Sequence, residues 1–344
     1  MKKVYIIIGC DVDPDRATFV PGVTDKVLSW KGMTEGLLKT KDLTRAVRDS
    51  DDRPPIYSWC LRVDDQIHQY YDDYAWVLKE HRPLLNDLAA SGDELSWHPH
   101  FWRFDPKRSA WYQETEDRDW QTSMLRTSFE AYRQQFPDCP QSARMGWNYH
   151  NAESMNTLAE LGIKVDFSGV PGMRVDRSHS KIENIYDWFQ APNRPYFPSR
   201  RSHQVEAGLD ESLPILEVPN LVASSLTWGI VAGLVLAKKM KNMQPLFAAV
   251  RRPRYWINIS AKRQYFKPVL DQYRRFLKDG TIETIVFTNY FHADDMIDNL
   301  STLYAFEGFK ANLEDLVKTA REYDAQVRFI KARDAIHLFK SKAK

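Results

Sequence analysis

Val4-Tyr5-Ile6-Ile7-Ile8-Gly9-Cys10-Asp11-Val12-Asp13-Pro14-Asp15 opens as an apolar run rich in β-branched residues and closes as a charged segment containing proline. Such a run reads as a buried strand ending in a loop. Side chains at i and i+2 of an extended segment share one face, so Asp11 and Asp13 converge at the strand end. Two like charges that close are costly unless a cation joins them or one takes up a proton, which points to a metal ion or to proton transfer. The plain alternative is a pair of loop aspartates, one of them capping the next element. Further strand-like runs lie at Pro55 to Arg62, Glu94 to His98, Val165 to Ser168, Ile215 to Pro219, Glu283 to Phe291 and Gln326 to Ile330. Helical stretches lie between or after them at Tyr71 to Ser91, Trp120 to Gln135, Ser154 to Leu161, Lys262 to Lys278, Asn312 to Tyr323 and Ala332 to Phe339. Strands alternating with helices predict parallel βαβ units.

A second constellation stands in Asp93-Glu94-Leu95-Ser96-Trp97-His98-Pro99-His100-Phe101-Trp102, where two imidazoles are again spaced i, i+2. Histidine is the commonest nitrogen ligand of borderline metals such as zinc. His-x-His alone is a weak signal, because one of the two is often only a hydrogen-bonding residue. Joined to Asp-x-Asp at another strand end, it supplies one carboxylate and two imidazoles and leaves positions open for water and substrate, as catalytic metal sites require.

The order Asp11-Val12-Asp13, His98-Pro99-His100, Arg144-Met145-Gly146-Trp147, Val165-Asp166-Phe167-Ser168 and Phe291-His292 resembles the polysaccharide deacetylase (NodB-homology, carbohydrate esterase family 4) group, from Lys3 to about His337. The stretch Thr157 to Gly172 is similar to the branch found among capsule and O-antigen biosynthesis proteins. The resemblance implies a distorted (β/α)7 barrel over residues 1–344 as a single domain with a helical insertion at about 225–260. It also implies a divalent metal, zinc first among them, and hydrolysis of an N-acyl group, acetyl or formyl, on an amino sugar. Asp11 then corresponds to the general base, Asp13 and His98 to metal ligands, Arg144 to the arginine that orients the base, and His292 to the general acid. The family's second histidine falls four residues after the first, where this chain has Trp102; His100 is expected to take its place.

An activated water, a polarised carbonyl and a protonated leaving amine are what amide hydrolysis needs, and this set of residues would supply them. A net charge of +2 and the absence of a basic-aromatic motif argue against a nucleic-acid partner. The expected partner is instead an amino-sugar glycan or its nucleotide- or lipid-linked precursor. Aromatic residues make up 13% of the chain, and carbohydrate sites use aromatic faces against sugar rings, so Trp102 and Trp147 are expected to line the substrate site. Cys10, Cys60 and Cys139 show no paired spacing, and Met1-Lys2-Lys3 leads directly into the first strand without a secretory apolar segment. Both features are read as a cytoplasmic location, with substrate modified before export.

Ser225 to Lys241 reads as an apolar helix with a basic end, followed by Arg251-Arg252-Pro253-Arg254. Packing into the barrel wall or a dimer interface is the preferred reading, and peripheral contact with an anionic membrane is the other. The loop Arg194-Pro195-Tyr196-Phe197-Pro198-Ser199-Arg200-Arg201 suits a substrate rim in which Arg194, Arg200 and Arg201 meet a phosphate or sugar carboxylate. Arg62, Asp64 and Asp65 follow the second strand, either lining the pocket or serving as solvated loop charges and a helix cap. The sequence therefore predicts a metal-dependent carbohydrate N-deacylase of surface-polysaccharide biosynthesis. Its rivals are a noncatalytic sugar-binding or scaffold barrel and an amidase or esterase acting on another acyl group.

Overall fold

The computed structural model describes residues 1–16, 28–107, 109–175, 185–208, 211–241, 243, 246–247, 250, 254–297 and 303–339. Eight strands form one curled, wholly parallel sheet: β1 (Lys3–Val12), β2 (Tyr57–Leu61), β3 (Glu94–Trp97), β4 (Ser142–Ala143), β5 (Val165–Asp166), β6 (Leu216–Glu217), β7 (Thr284–His292) and β8 (Gln326–Phe329). Strands β1 to β6 lie side by side in chain order, and β7 pairs with the other edge of β1. Among the described residues no ladder joins β6 to β7. The segment after β6 approaches β7 instead, with Leu221 N donating to Thr288 O at 3.1 Å. The predicted parallel barrel-like α/β architecture is thus present as a curled half-barrel.

β1 is the organising strand. It pairs with β7 from Lys3↔Thr284 to Asp11↔His292, and on its opposite side with β8 over Lys3 to Ile6 and with β2 over Ile8 to Val12. Its alternation sorts the core. Val4, Ile6, Ile8, Cys10 and Val12 join the large apolar layer beneath the helices, whereas Ile7 packs inward with Cys60, Val165, Phe167, Leu216 and Val286. A Cβ on Gly9 would stand 2.8 Å from a Phe167 ring carbon, so glycine is what lets that ring cross the interior beneath Asp11.

The 3-10 helix Ala332–Leu338 packs against the inner cluster through Ala332 and Ala335. Glu94 pins it: its carboxyl accepts from Ser58 Oγ and Ser142 Oγ, both at 2.7 Å, and from Arg333 N at 3.2 Å. Burial pushes the Glu94 carboxyl above its ordinary pKa.

Helices flank the sheet where the apolar periodicity places them, at Arg118–Gln135, Ala152–Glu160, Arg263–Lys278 and Phe306–Glu322. The helix expected over Tyr71 to Ser91 is instead three pieces, Asp65–Tyr71, Trp76–Glu80 and Arg82–Ala90. Asp72 ends the first piece in the left-handed region (φ 55°), and Pro83 starts the third, where a missing N–H costs nothing. The apolar helix Leu226–Met240 leaves and returns through an antiparallel pair, Ala223–Ser224 with Arg254–Tyr255. Of the basic run that follows it, Arg251, Arg252 and Pro253 lie outside the described residues. Among the described residues no helix is long and apolar enough to cross a membrane.

Candidate metal and catalytic site

Asp13, His98 and His100 come together at the C-terminal ends of β1 and β3, with a ligand atom from each lying within 4.8 Å of the others. His98 Nε2 is 3.5 Å from Asp13 Oδ2, His100 Nε2 is 3.5 Å from Asp13 Oδ1, and the two Nε2 atoms are 3.1 Å apart. His98 Nδ1 lies 2.6 Å from Arg144 O, a carbonyl that can only accept, so Nδ1 carries the hydrogen and Nε2 turns its lone pair inward. Burial opposes ionisation of Asp13, but His98 and His100 outweigh it and hold the carboxyl well below the ordinary range. The imidazoles divide: burial and then Arg62 push His100 down to about 4, whereas Asp11 and Asp13 overcome burial and raise His98. Two imidazole nitrogens and a carboxylate oxygen form a donor set that suits zinc.

Arg62 completes the first cluster. Its guanidinium is buried and donates to Asp13 Oδ1 at 2.7 Å, Asp64 Oδ2 at 2.7 Å and Gln66 Oε1 at 2.8 Å. Asp64 caps the helix Asp65–Tyr71 by accepting from Ile67 N, and it also accepts from His100 N at 3.0 Å. Both readings of this stretch are therefore realised, by different residues. Arg62 lines the cavity, while Asp65 turns away to Gln69 and Tyr74.

The second cluster is built on Asp11, opposite His292 in the β1–β7 register. Arg144 Nε donates to Asp11 Oδ1 at 2.7 Å, and its other nitrogens reach Phe167 O and Asn148 Oδ1. Its guanidinium carbon lies 3.3 Å from the centre of the Tyr290 ring. The Asp166-Phe167-Ser168 segment holds this loop, since Met145 N donates to Ser168 Oγ and Ser168 to Asp166. Asp11 Oδ2 is 3.9 Å from His292 Nε2. His292 Nδ1 faces Arg16 at 3.4 Å and the Asn258 amide nitrogen at 3.3 Å. A guanidinium only donates, so Nδ1 accepts and the Nε2–H points into the cavity.

Both clusters face one cavity of about 220 Å³, whose wall also includes Pro14, Arg16, Trp102, Trp147, Asn148 and Tyr290. Trp102 stands nearly parallel to His100 (9°, centroids 6.3 Å apart) and meets Trp147 edge to face at 4.5 Å. The position where a second histidine was expected is thus an aromatic wall. Sequence reading missed Arg16, Asn148 and Tyr290. The last two had signals, Tyr290 through its i, i+2 spacing from His292 and Asn148 as the fourth residue after Arg144. Arg16, clamped by Asp294 and Asp295 from the far end of the chain, had none.

The rim expected from Arg194, Arg200 and Arg201 does not form at this cavity. Arg194 pairs with Glu206 at 2.6 Å and borders a larger, mostly apolar cavity of about 670 Å³ that reaches Leu216, Phe276, Ile285 and Phe339, at the N-terminal ends of β6 and β7. Arg201 is exposed and pairs with Glu211 at 2.9 Å, and Arg200 sits in the exposed turn between Pro198–Ser199 and Ser202–Glu206. Chain order placed these residues after the Val170-Pro171-Gly172 motif, but none of the three lines the cavity at the strand ends.

No family model and no curated protein matches the chain. Among solved structures, the "putative glycoside hydrolase/deacetylase" of Parabacteroides distasonis is similar at 14% identity over 98% of this chain and 72% of that one, with a TM-score of 0.52. The "putative polysaccharide deacetylase" of Mycobacterium smegmatis aligns at 13% identity over 98% and 90% of the two chains, with a TM-score of 0.47. The first likeness shows a shared fold.

Proposed function

We propose that this protein is a metal-dependent carbohydrate N-deacylase that removes an acetyl or formyl group from an amino sugar during surface-polysaccharide (O-antigen or capsule) assembly, before export from the cytoplasm. One observation carries the reading: Asp13, His98 and His100 face the same cavity as Asp11, Arg144 and His292, at the C-terminal ends of parallel strands. Asp13, His98 and His100 would hold the divalent metal, zinc first among candidates, which when bound polarises the acyl carbonyl and acidifies water. Asp11 accepts the proton of the attacking water, with Arg144 balancing its charge and fixing its orientation. His292 presents its Nε2–H to the leaving nitrogen, so that the amine departs protonated. The proton that Asp11 takes from water, with Oδ2 3.9 Å from Nε2, replaces the one given up, so the imidazole stays neutral. Trp147, half-buried in the cavity wall, offers its ring to the sugar, with the buried Trp102 packed edge to face behind it. A lipid-linked precursor would be met at a membrane surface, and a nucleotide-linked one in solution.

A second reading, a noncatalytic sugar-binding barrel, draws support from Arg62, whose guanidinium already occupies one oxygen of Asp13. One experiment separates the two. The purified chain is analysed for metal, then assayed with and without added zinc on N-acetyl and N-formyl amino sugars, free, nucleotide-linked and lipid-linked. Stoichiometric metal with amine release supports the deacylase. Sugar binding without metal or hydrolysis establishes the barrel as a binding protein, and hydrolysis of an O-ester or a non-sugar amide alone would reassign the acyl group.

A further inference from the structure

Among the described side chains of the helix Leu226–Met240, the fully buried positions are small and several large apolar residues are exposed. Its small residues Gly229, Gly233 and Ala237, spaced i, i+4, i+8, face the protein body and are buried. Leu226 (56% exposed), Val231 (43%) and Leu234 (49%) lie outward. Met243, Phe247 and Val250, which follow in the chain, are exposed as well. These six are the majority of the ten large apolar side chains exposed among the described residues, so the exposure is concentrated on this segment of the chain. Among the described side chains, Gly229, Gly233, Ala237 and the partly buried Trp228 pack against the body, while Leu226, Val231 and Leu234 stay outside.

Charge is sorted on the same segment. Between Glu217 and Asp271 the sequence has no acidic residue and nine lysines and arginines, six of them from Lys238 to Arg254, in a chain whose net charge is only +2. Lys238 and Lys241 are exposed at the end of the helix. A second copy of the chain docking patch to patch would set these positive stretches against each other. An anionic lipid surface would complement them while taking up the apolar side chains.

We infer that the face formed by Leu226, Val231, Leu234, Lys238 and Lys241 docks on an anionic membrane surface. The helix lies along the interface, being too short to span it. It is tied to the cavity wall. Trp228 packs on Tyr255 at 5.4 Å, the next residue Trp256 stacks on Tyr290 at 5.2 Å, and Asn258 reaches His292. A contact made at the helix is thereby linked through packed rings to the cavity wall, whatever reaction the site performs.

The test is co-sedimentation of the full chain with vesicles of phosphatidylcholine, alone or mixed with phosphatidylglycerol. Wild type is expected to pellet with the anionic vesicles and to be released by salt. V231E/L234E, at exposed positions, is expected to bind at least tenfold more weakly, and K238Q/K241Q roughly 25-fold more weakly, since each lysine near such a surface contributes on the order of fivefold. Thermal melting checks that both variants are folded, and the lysine variant decides alone if the other is not. No pelleting, pelleting equal in wild type and K238Q/K241Q, or a dimer that V231E/L234E converts to monomer would overturn the inference, the last by making a second copy the occupant.

Discussion

Gly146 lies directly beneath the His100 imidazole, so close that a Cβ at this position would overlap the ring carbons. Gly146 N also donates to Pro99 O at 2.9 Å, which ties the two loops at the base of the His-x-His motif. The glycine is the space that lets His100 turn toward Asp13. Gly146→Ala is therefore expected to push the ring off its position and to weaken zinc binding at least tenfold. Titration calorimetry with zinc reads this directly, and a melting curve shows whether the barrel stays intact.

Asp11→Asn and His292→Ala are each expected to lower kcat by about 10²-fold or more, because each removes one proton transfer. Metal content should be retained in both, since neither side chain belongs to the Asp13–His98–His100 set. Wild-type turnover in either variant would exclude that residue from its role.

Arg62 is buried between two carboxylates, Asp13 and Asp64. Replacing it with Met leaves both charges in the interior without their partner, a change that costs about 3–5 kcal/mol when a buried ion pair is broken on one side. Urea unfolding should show this loss. Added zinc should recover part of it, by supplying a cation to Asp13 but not to Asp64.

His203 supplies a pH dependence unrelated to the site. Burial, reinforced by neighbouring His150, lowers its pKa to about 3, while in the unfolded chain it titrates near the ordinary value of about 6.5. Between those values the unfolded chain binds a proton that the folded one refuses. Stability should therefore fall on acidification from about pH 6.5 toward 3, by up to about 1.4 kcal/mol per pH unit from this group. His203→Gln should flatten the slope by about one proton, measured as urea midpoints across that range.

The unbroken apolar run from Val4 to Cys10 foretold the strand, because a strand buried on both faces is apolar throughout, and the i, i+2 spacing of Asp11 and Asp13 foretold their convergence. His98 and His100 were legible for the same reason. The segment Tyr71 to Ser91 was not, since its helical periodicity runs on while a left-handed Asp72 and Pro83 break the backbone. β4, only Ser142–Ala143, is too short to leave a pattern. Arg16 at His292 and Arg62 on Asp13 depend on contacts across hundreds and tens of residues, which local spacing does not record. The arginines of the 194–201 loop were placed by chain order alone, and chain order does not say which way a hairpin turns.

The pairing of β1 with β7 has a consequence for when the protein can work. His292 lies 281 positions after Asp11 in the chain, yet the two sit opposite each other in adjacent strands. A ribosome adding about 5–20 residues per second needs roughly 15–60 s to cover that distance. Throughout that time one edge of an apolar strand waits without its partner, and the nascent chain depends on something else to shield it. The same delay is a safeguard, because an unfinished polypeptide carries one half of the proposed proton-transfer pair and cannot act on its substrate.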